Sequence, residues 1–230
     1  MFTATPKEAF SMKKYRGAIF DVDGTLLDTI ADIGNSANLV LQKYHCPTHP
    51  IEAYKKFVGQ GLFNTLRRAF PAGTPEEQLH EIHQCMLEIY ADHYMDDTQP
   101  YPGMAELVTR MHESGILLGV NSNKTHLYTA NLIKALFPHI PFVDVIGEGE
   151  AYPRKPDPAA ALHIAEQMAL DPSEILYIGD TGTDVDTAKN AGMDSVGCIW
   201  GFHGEEELRK HGATYLIHEV EEIAQFFELH

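Results

Sequence analysis

Short apolar runs recur along the chain, each closed by a small or acidic residue and followed by a stretch with helical spacing. Residues 17–20 run into Asp21, 116–120 into Asn121 and Ser122, 142–146 into Gly147, and 175–178 into Gly179 and Asp180; residues 195–199 form a further run. Apolar strands alternating with helices predict a doubly wound, mostly parallel α/β sheet with a Rossmann-like core, covered on both faces. In such sheets a site lies beyond the carboxyl ends of the strands. The chemically unusual residues fall at those ends.

Between the first and second runs the pattern is helical only. Ile30, Ile33, Ala37, Val40, Leu41 and Tyr44 share one face, and from Pro75, read as a first helical residue, so do Leu79, Ile82, Met86, Ile89 and His93. A shorter helix over 62–70 follows Gly59-Gln60-Gly61. A crossover needs only about a dozen residues, so residues 28–96 are expected to form an inserted helical cap over the strand ends. Pro100, Pro102 and Gly103 punctuate the return to the core. The expected layout is an extension over 1–14, an α/β core made of 15–27 and 97–230, and the cap between.

Composition narrows the field of partners. Of 230 residues, 44% are hydrophobic and 22% charged, as in an ordinary globular protein. The formal charge of −16 argues against nucleic acid or an anionic membrane as a partner, and no apolar run approaches the ~20 residues of a membrane span. Residues 1–14 lack the apolar stretch of a secretory signal. Cys46, Cys85 and Cys198 are odd in number and far apart, which points to a reducing, cytoplasmic setting and away from disulfides or a thiolate zinc site.

The sharpest chemical signal is Asp21-Val22-Asp23-Gly24-Thr25 at the end of the first apolar run. Two carboxylates sit two residues apart, and Gly24 permits a tight turn. An Asp-rich turn would explain Asp23-Gly24 alone. It would not explain why the next runs end in Ser122-Asn123-Lys124 and in Gly179-Asp180-Thr181-Gly182-Thr183-Asp184, with Arg154-Lys155-Pro156-Asp157-Pro158 between them. Four such segments in this order, spread over residues 15–225, resemble the motifs of the haloacid dehalogenase superfamily of phosphotransferases. Within it the chain looks like the phosphoglycolate phosphatases that carry a helical cap, with Ser122 where those enzymes commonly have Thr.

That resemblance implies a Mg²⁺-dependent phosphatase acting on a small phosphorylated metabolite, with 2-phosphoglycolate as the example. Asp21 would be the nucleophile that forms an aspartyl phosphate, and Asp23 the acid and base. Ser122 and Lys155 would hold the phosphoryl oxygens. Asp21, the Asp23 carbonyl, Asp180 and Asp184 would hold the metal. The electrostatics agree: two unit charges about 4 Å apart repel by roughly 4 kcal/mol at an effective dielectric near 20, so a carboxylate meeting a phosphate dianion needs cations beside it. Carboxylates without Cys or clustered His select Mg²⁺. Asn123, Gly59, Gln60, Gly61 and Arg67 are candidate substrate contacts. The alternatives are a phosphomutase using the same pair, a pyrophosphatase or nucleotide phosphatase, and a phospho-acceptor signalling receiver, against which the long insert weighs. A monomer or a homodimer fits equally.

Overall fold

Gly17–Phe20 form the central strand β1, and all four residues are buried. Ala18 and Phe20 face one apolar cluster and Ile19 the opposite one. Burial on both faces is what makes a strand of a parallel sheet read as an unbroken apolar run. The computed structural model describes residues 15–149, 151–227 and 229; the extension expected over 1–14 lies outside them. After β1 come the two-residue strand β2 (Leu27–Asp28), α1 (Ile30–Lys43), a 3₁₀ turn (Ile51–Lys56), α2 (Gly61–Ala69), α3 (Glu76–His93) and the two-residue strand β3 (Gln99–Pro100). The chain then alternates through α4 (Met104–Glu113), β4 (Leu117–Thr125), α5 (His126–Leu136), β5 (Val145–Glu148), α6 (Ala159–Met168) and β6 (Ile175–Gly179). It continues with α7 (Gly182–Ala191), β7 (Asp194–Cys198), α8 (Gly204–His211) and β8 (Tyr215–Ile217), and closes in a 3₁₀ turn (Val220–Phe226).

Six strands form one sheet in the order β5-β4-β1-β6-β7-β8, with every neighbouring pair parallel. Leu107, Met111, Leu132 and Phe226 cover one face from α4, α5 and the closing turn. Ile164, Met168 and Ala188 cover the other from α6 and α7. This is the doubly wound α/β architecture that the sequence predicts. The chain leaves β1 for β4 and β5 on one side and returns for β6, β7 and β8 on the other, so the winding direction switches beside β1. A crevice is expected there, outside the carboxyl ends of β1, β4 and β6.

Helices α1, α2 and α3, with the 3₁₀ turn between the first two, build a separate apolar cluster that includes Leu41, Tyr54, Leu66, Ile82 and Met86. Tyr128 and Phe202, from the sheet side, belong to the same cluster and join this layer to the strand ends. Its outgoing and returning connectors lie side by side: Leu27 pairs with Pro100 and Asp28 with Gln99. Asp32, buried in the first turn of α1, accepts bonds from the Asp97 and Thr98 N–H groups (2.9 Å each) and the Thr98 hydroxyl (2.7 Å). Satisfied in this way, a buried carboxylate fastens the two connectors together.

The structure departs from the sequence reading at element edges. Strands β2, β3 and β8 are too short to show an alternation. Strand β4 continues past Val120 to Thr125, with a register shift against β5 between Asn121 and Thr125; its polar side chains hid that extension. The run at 142–146 becomes a strand only from Val145, although the Val143 N–H already donates to the Leu118 carbonyl at 2.7 Å. Pro75 precedes the first turn of α3 in an extended conformation (φ −60°, ψ 143°) and does not occupy that turn.

Candidate active site

Asp21 is the first residue beyond β1, and its N–H still donates to the Ile178 carbonyl of β6 at 2.9 Å. Strand pairing therefore fixes where its carboxyl begins. The chain then turns sharply, with Gly24 at φ +83°; a Cβ there would stand 2.3 Å from Asp180 Oδ2, so only glycine fits. Asp180 leaves the end of β6 fully buried. Its Oδ1 accepts from the Thr25 hydroxyl (3.2 Å) and its Oδ2 from the Phe202 N–H (2.7 Å). Asp184 lies in the first turn of α7, where it and Thr181 form a reciprocal cap. Its Oδ2 accepts from the Thr181 N–H (3.0 Å) and hydroxyl (2.7 Å). A Cβ on Gly179 would meet the Asp184 carboxyl carbon at 2.3 Å, so bare backbone lets the two approach.

Lys155 reaches this cluster from the loop between β5 and α6. Its ammonium donates to Asp184 Oδ1 at 2.6 Å and stands 3.0 Å from Asp21 Oδ1. The second contact is a charge pairing without hydrogen-bond geometry, since Asp21 Oδ1 has no hydrogen-bond partner. Burial works against the charge on Lys155, but Asp184 and Asp21 outweigh it and hold the ammonium well above its usual range. Burial also pushes the Asp21 carboxyl up to about 6; Lys155 opposes that rise and Asp184 adds to it. Asp180 is also held well above its usual range, by burial and then by Asp184 and Asp21. Ser122 stands beside Asp21 and favours its ionised form.

Asp21, Asp180 and Asp184 bring carboxylate oxygens within 4.8 Å of one another. Three buried carboxylates beside one ammonium leave a deficit of positive charge. The cluster holds hard oxygen donors and no Cys or His, and one oxygen of Asp21 lacks a donor. This donor set fits a hard divalent cation such as Mg²⁺. The side chain of Asp23 is not part of that cluster. Its Oδ1 instead accepts from Lys124 Nζ at 3.0 Å, and Lys124 also donates to the Tyr90 hydroxyl of α3 at 2.6 Å.

A cleft of about 500 Å³, open mouth included, runs from Asp21, Asp23 and Ser122 up to the helical layer. Ile33, Val58, Leu62, Thr65 and Phe202 supply much of its upper wall. Of the expected contacts in that layer, Gly59 and Gly61 line it. Gln60 and Arg67 do not. The Gln60 side chain is engaged by Arg68 on the outer surface, and its carbonyl accepts from Arg154 at 2.6 Å. Arg67 pairs with the exposed Glu76 and lies over the Phe63 ring, 5.1 Å from its centroid. Thr65, Leu66 and Ala69 are the buried positions of α2, and at ~100° per residue Arg67 is carried off that face. Asn123 lines the cleft but is committed to Lys155. Its Oδ1 accepts from the Lys155 N–H (2.9 Å) and its Nδ2 donates to the Lys155 carbonyl (3.3 Å).

Sequence reasoning gave no separate role to Lys124 and Thr25, although both stand in the motifs, and it missed Tyr90 and Phe202. Lys124 carried a signal, a lysine directly after the apolar run that ends in Asn121-Ser122-Asn123. Tyr90 carried none that would separate it from the other apolar positions of its helix.

Comparison with known proteins identifies the family. Residues 18–198 match the family described as haloacid dehalogenase-like hydrolases. The phosphoglycolate phosphatase of Mesorhizobium japonicum is 34% identical over 191 residues, covering 80% of this chain and 82% of that one. The phosphoglycolate phosphatase of Caulobacter vibrioides is 35% identical over 207 residues, 86% and 85% of the two chains. Among solved structures, an inferred phosphoglycolate phosphatase from Lactobacillus delbrueckii superposes with a TM-score of 0.88 at 28% identity, over 94% of this chain and 99% of that one.

Proposed function

The chain belongs to the haloacid dehalogenase-like hydrolases, and from that premise we propose that it is a Mg²⁺-dependent phosphatase of small phosphomonoesters, 2-phosphoglycolate foremost. The observation that carries the reading is Asp21. A carboxylate oxygen without a hydrogen-bond partner lies beside a buried ammonium and two further carboxylates, at the floor of a cleft. The names and identities of the relatives support the substrate class.

In this reading Asp21 attacks phosphorus in line. The new O–P bond forms as the ester O–P bond breaks, giving an aspartyl phosphate and the free alcohol. Asp23, two residues on and at the cleft wall, delivers the proton to the departing oxygen. It then takes one from the water that releases inorganic phosphate and restores Asp21. Lys155 and the Ser122 hydroxyl stabilise charge on the phosphoryl oxygens. Asp21, Asp180, Asp184 and the Asp23 carbonyl would hold Mg²⁺, which supplies neutralisation of the incoming dianion. Asn123 positions Lys155 through both main-chain bonds. Gly59 and Gly61 close the cleft from the helical layer, residues 28–96, which acts as a cap that limits water and leaving-group size.

The cytoplasm suits this chemistry. Cys46, Cys85 and Cys198 are free, and no helix among the described residues is long and apolar enough to cross a membrane. Release of inorganic phosphate from a panel of phosphorylated metabolites, with and without Mg²⁺, tests the proposal. Turnover is expected with Mg²⁺ only, with 2-phosphoglycolate among the best by kcat/KM. A protein inert toward every ester in the presence of Mg²⁺ overturns it.

A further inference from the structure

Lys124 has no part in the chemistry above, yet it is buried and lines the cleft. Among the described residues lining that cleft it is the only Lys, Arg or His; Lys155 is occupied by Asp21 and Asp184. An ammonium carries three donors. One goes to Asp23 Oδ1 at 3.0 Å and one to the Tyr90 hydroxyl at 2.6 Å, which leaves one for a group in the cleft. Asp23 is the residue assigned to the ester oxygen, so whatever is bonded to the carbon bearing that oxygen comes close to Lys124. The Lys124 ammonium gives an anion at that position a positive partner. The wall nearby, with Ile33, Val58, Leu62 and Phe202, offers little to a hydroxyl-rich leaving group.

We infer that Lys124 is a specificity-determining residue that binds a carboxylate on the carbon carrying the ester oxygen, so that the preferred substrates are phosphate monoesters of 2-hydroxy acids. The inference rests on the phosphatase reading and narrows it. Tyr90, from α3, holds the ammonium in place for this task.

The test compares 2-phosphoglycolate with ethyl phosphate, which keeps two carbons and lacks the carboxylate. Its readout is the ratio of their kcat/KM values, because disturbing Asp23 lowers both rates together and leaves the ratio alone. Wild type is expected to favour 2-phosphoglycolate. Lys124→Met should cut the ratio by about 10- to 100-fold, the range expected for one hydrogen bond to a charged group. Lys124→Arg should restore part of it. Tyr90→Phe, which removes a single hydroxyl, should lower it severalfold and carries the test if Lys124→Met does not fold. A ratio that stays within about threefold of wild type in the folded variants overturns the inference and leaves Lys124 as a partner of Asp23 only. Wild type that hydrolyses ethyl phosphate as well as 2-phosphoglycolate also overturns it while the phosphatase reading stands. Wild type inert toward both overturns the inference, and the metabolite panel then decides the phosphatase reading.

Discussion

The strand ends and the helical layer meet across one cleft, and they are built on different terms. Below, Asp180, Asp184 and Lys155 are each held by several groups at once. Asp184 caps α7 and pairs with Lys155; Lys155 is pinned at its main chain by Asn123 and at its ammonium by two carboxylates; Asp180 is cradled by bare backbone at Gly24 and Gly201. Above, the cleft wall is mostly apolar, and the charged residues of α2 turn outward to Glu76 and to the loop at 57–60. The floor holds charges that are costly to bury, and one ammonium against three carboxylates leaves them only partly answered. The roof contributes shape. The contrast assigns reactivity to the floor and substrate choice to the roof and to Lys124, where the two meet.

Four substitutions sharpen or break that contrast. Asp21→Asn is expected to have the largest effect, a loss of about 10³-fold or more in kcat with the fold intact; near-native turnover measured by phosphate release would remove the nucleophile from the floor. Next comes Asp23→Asn, which should cost about 10²- to 10⁴-fold. That loss should be steeper for alkyl than for aryl phosphates, because a poor leaving group depends more on the proton; an equal loss on both would refute acid catalysis at Asp23.

A smaller effect, in the opposite sense, is expected from Asp180→Asn in magnesium-free protein. Burial and the neighbouring carboxylates hold this carboxyl well above its usual range, and Asp21 is raised to about 6. A carboxyl with a raised folded pKa takes up its proton more readily in the folded state. It therefore withdraws stability as pH rises from the ordinary carboxylate range through the folded value. Calorimetry should show the metal-free wild type losing Tm from pH 5 to pH 8. Asp180→Asn should lose less, gain about 2–6 °C at pH 8, and no longer respond to Mg²⁺. A lower Tm for the variant at pH 8 would show that the floor is not electrostatically stressed. The smallest effect is assigned to Arg67→Ala: kcat/KM within about twofold and Tm within about 2 °C, as for other exposed ion pairs. A tenfold loss of kcat/KM would return Arg67 to the substrate.

The floor was legible in the sequence because its residues are placed by strands. A buried parallel strand is an apolar run that stops abruptly, and Asp21, Ser122 and Asp180 stand within two residues of such stops. The roof was less legible. Helical periodicity separates inside from outside but does not say which outward residues face a neighbour, so Arg67 and Gln60 were assigned to a cleft they do not line. Tyr90 was missed for the converse reason. It sits on the apolar face of α3, yet its hydroxyl ends on a buried ammonium that comes from β4. Strands β2 and β3 escaped because a two-residue pairing is a fact of geometry between distant segments and leaves no periodic trace.

That small pairing has a further consequence. Because the chain departs from the sheet at Leu27 and comes back at Pro100, directly opposite, everything between is a loop with neighbouring ends, and Asp32 clasps those ends to each other. Material hung between two adjacent points can be enlarged, trimmed or replaced by another sequence without moving a single strand below it. Evolution, or an engineer grafting a foreign segment between the same two points, can revise what the molecule accepts while inheriting how it reacts.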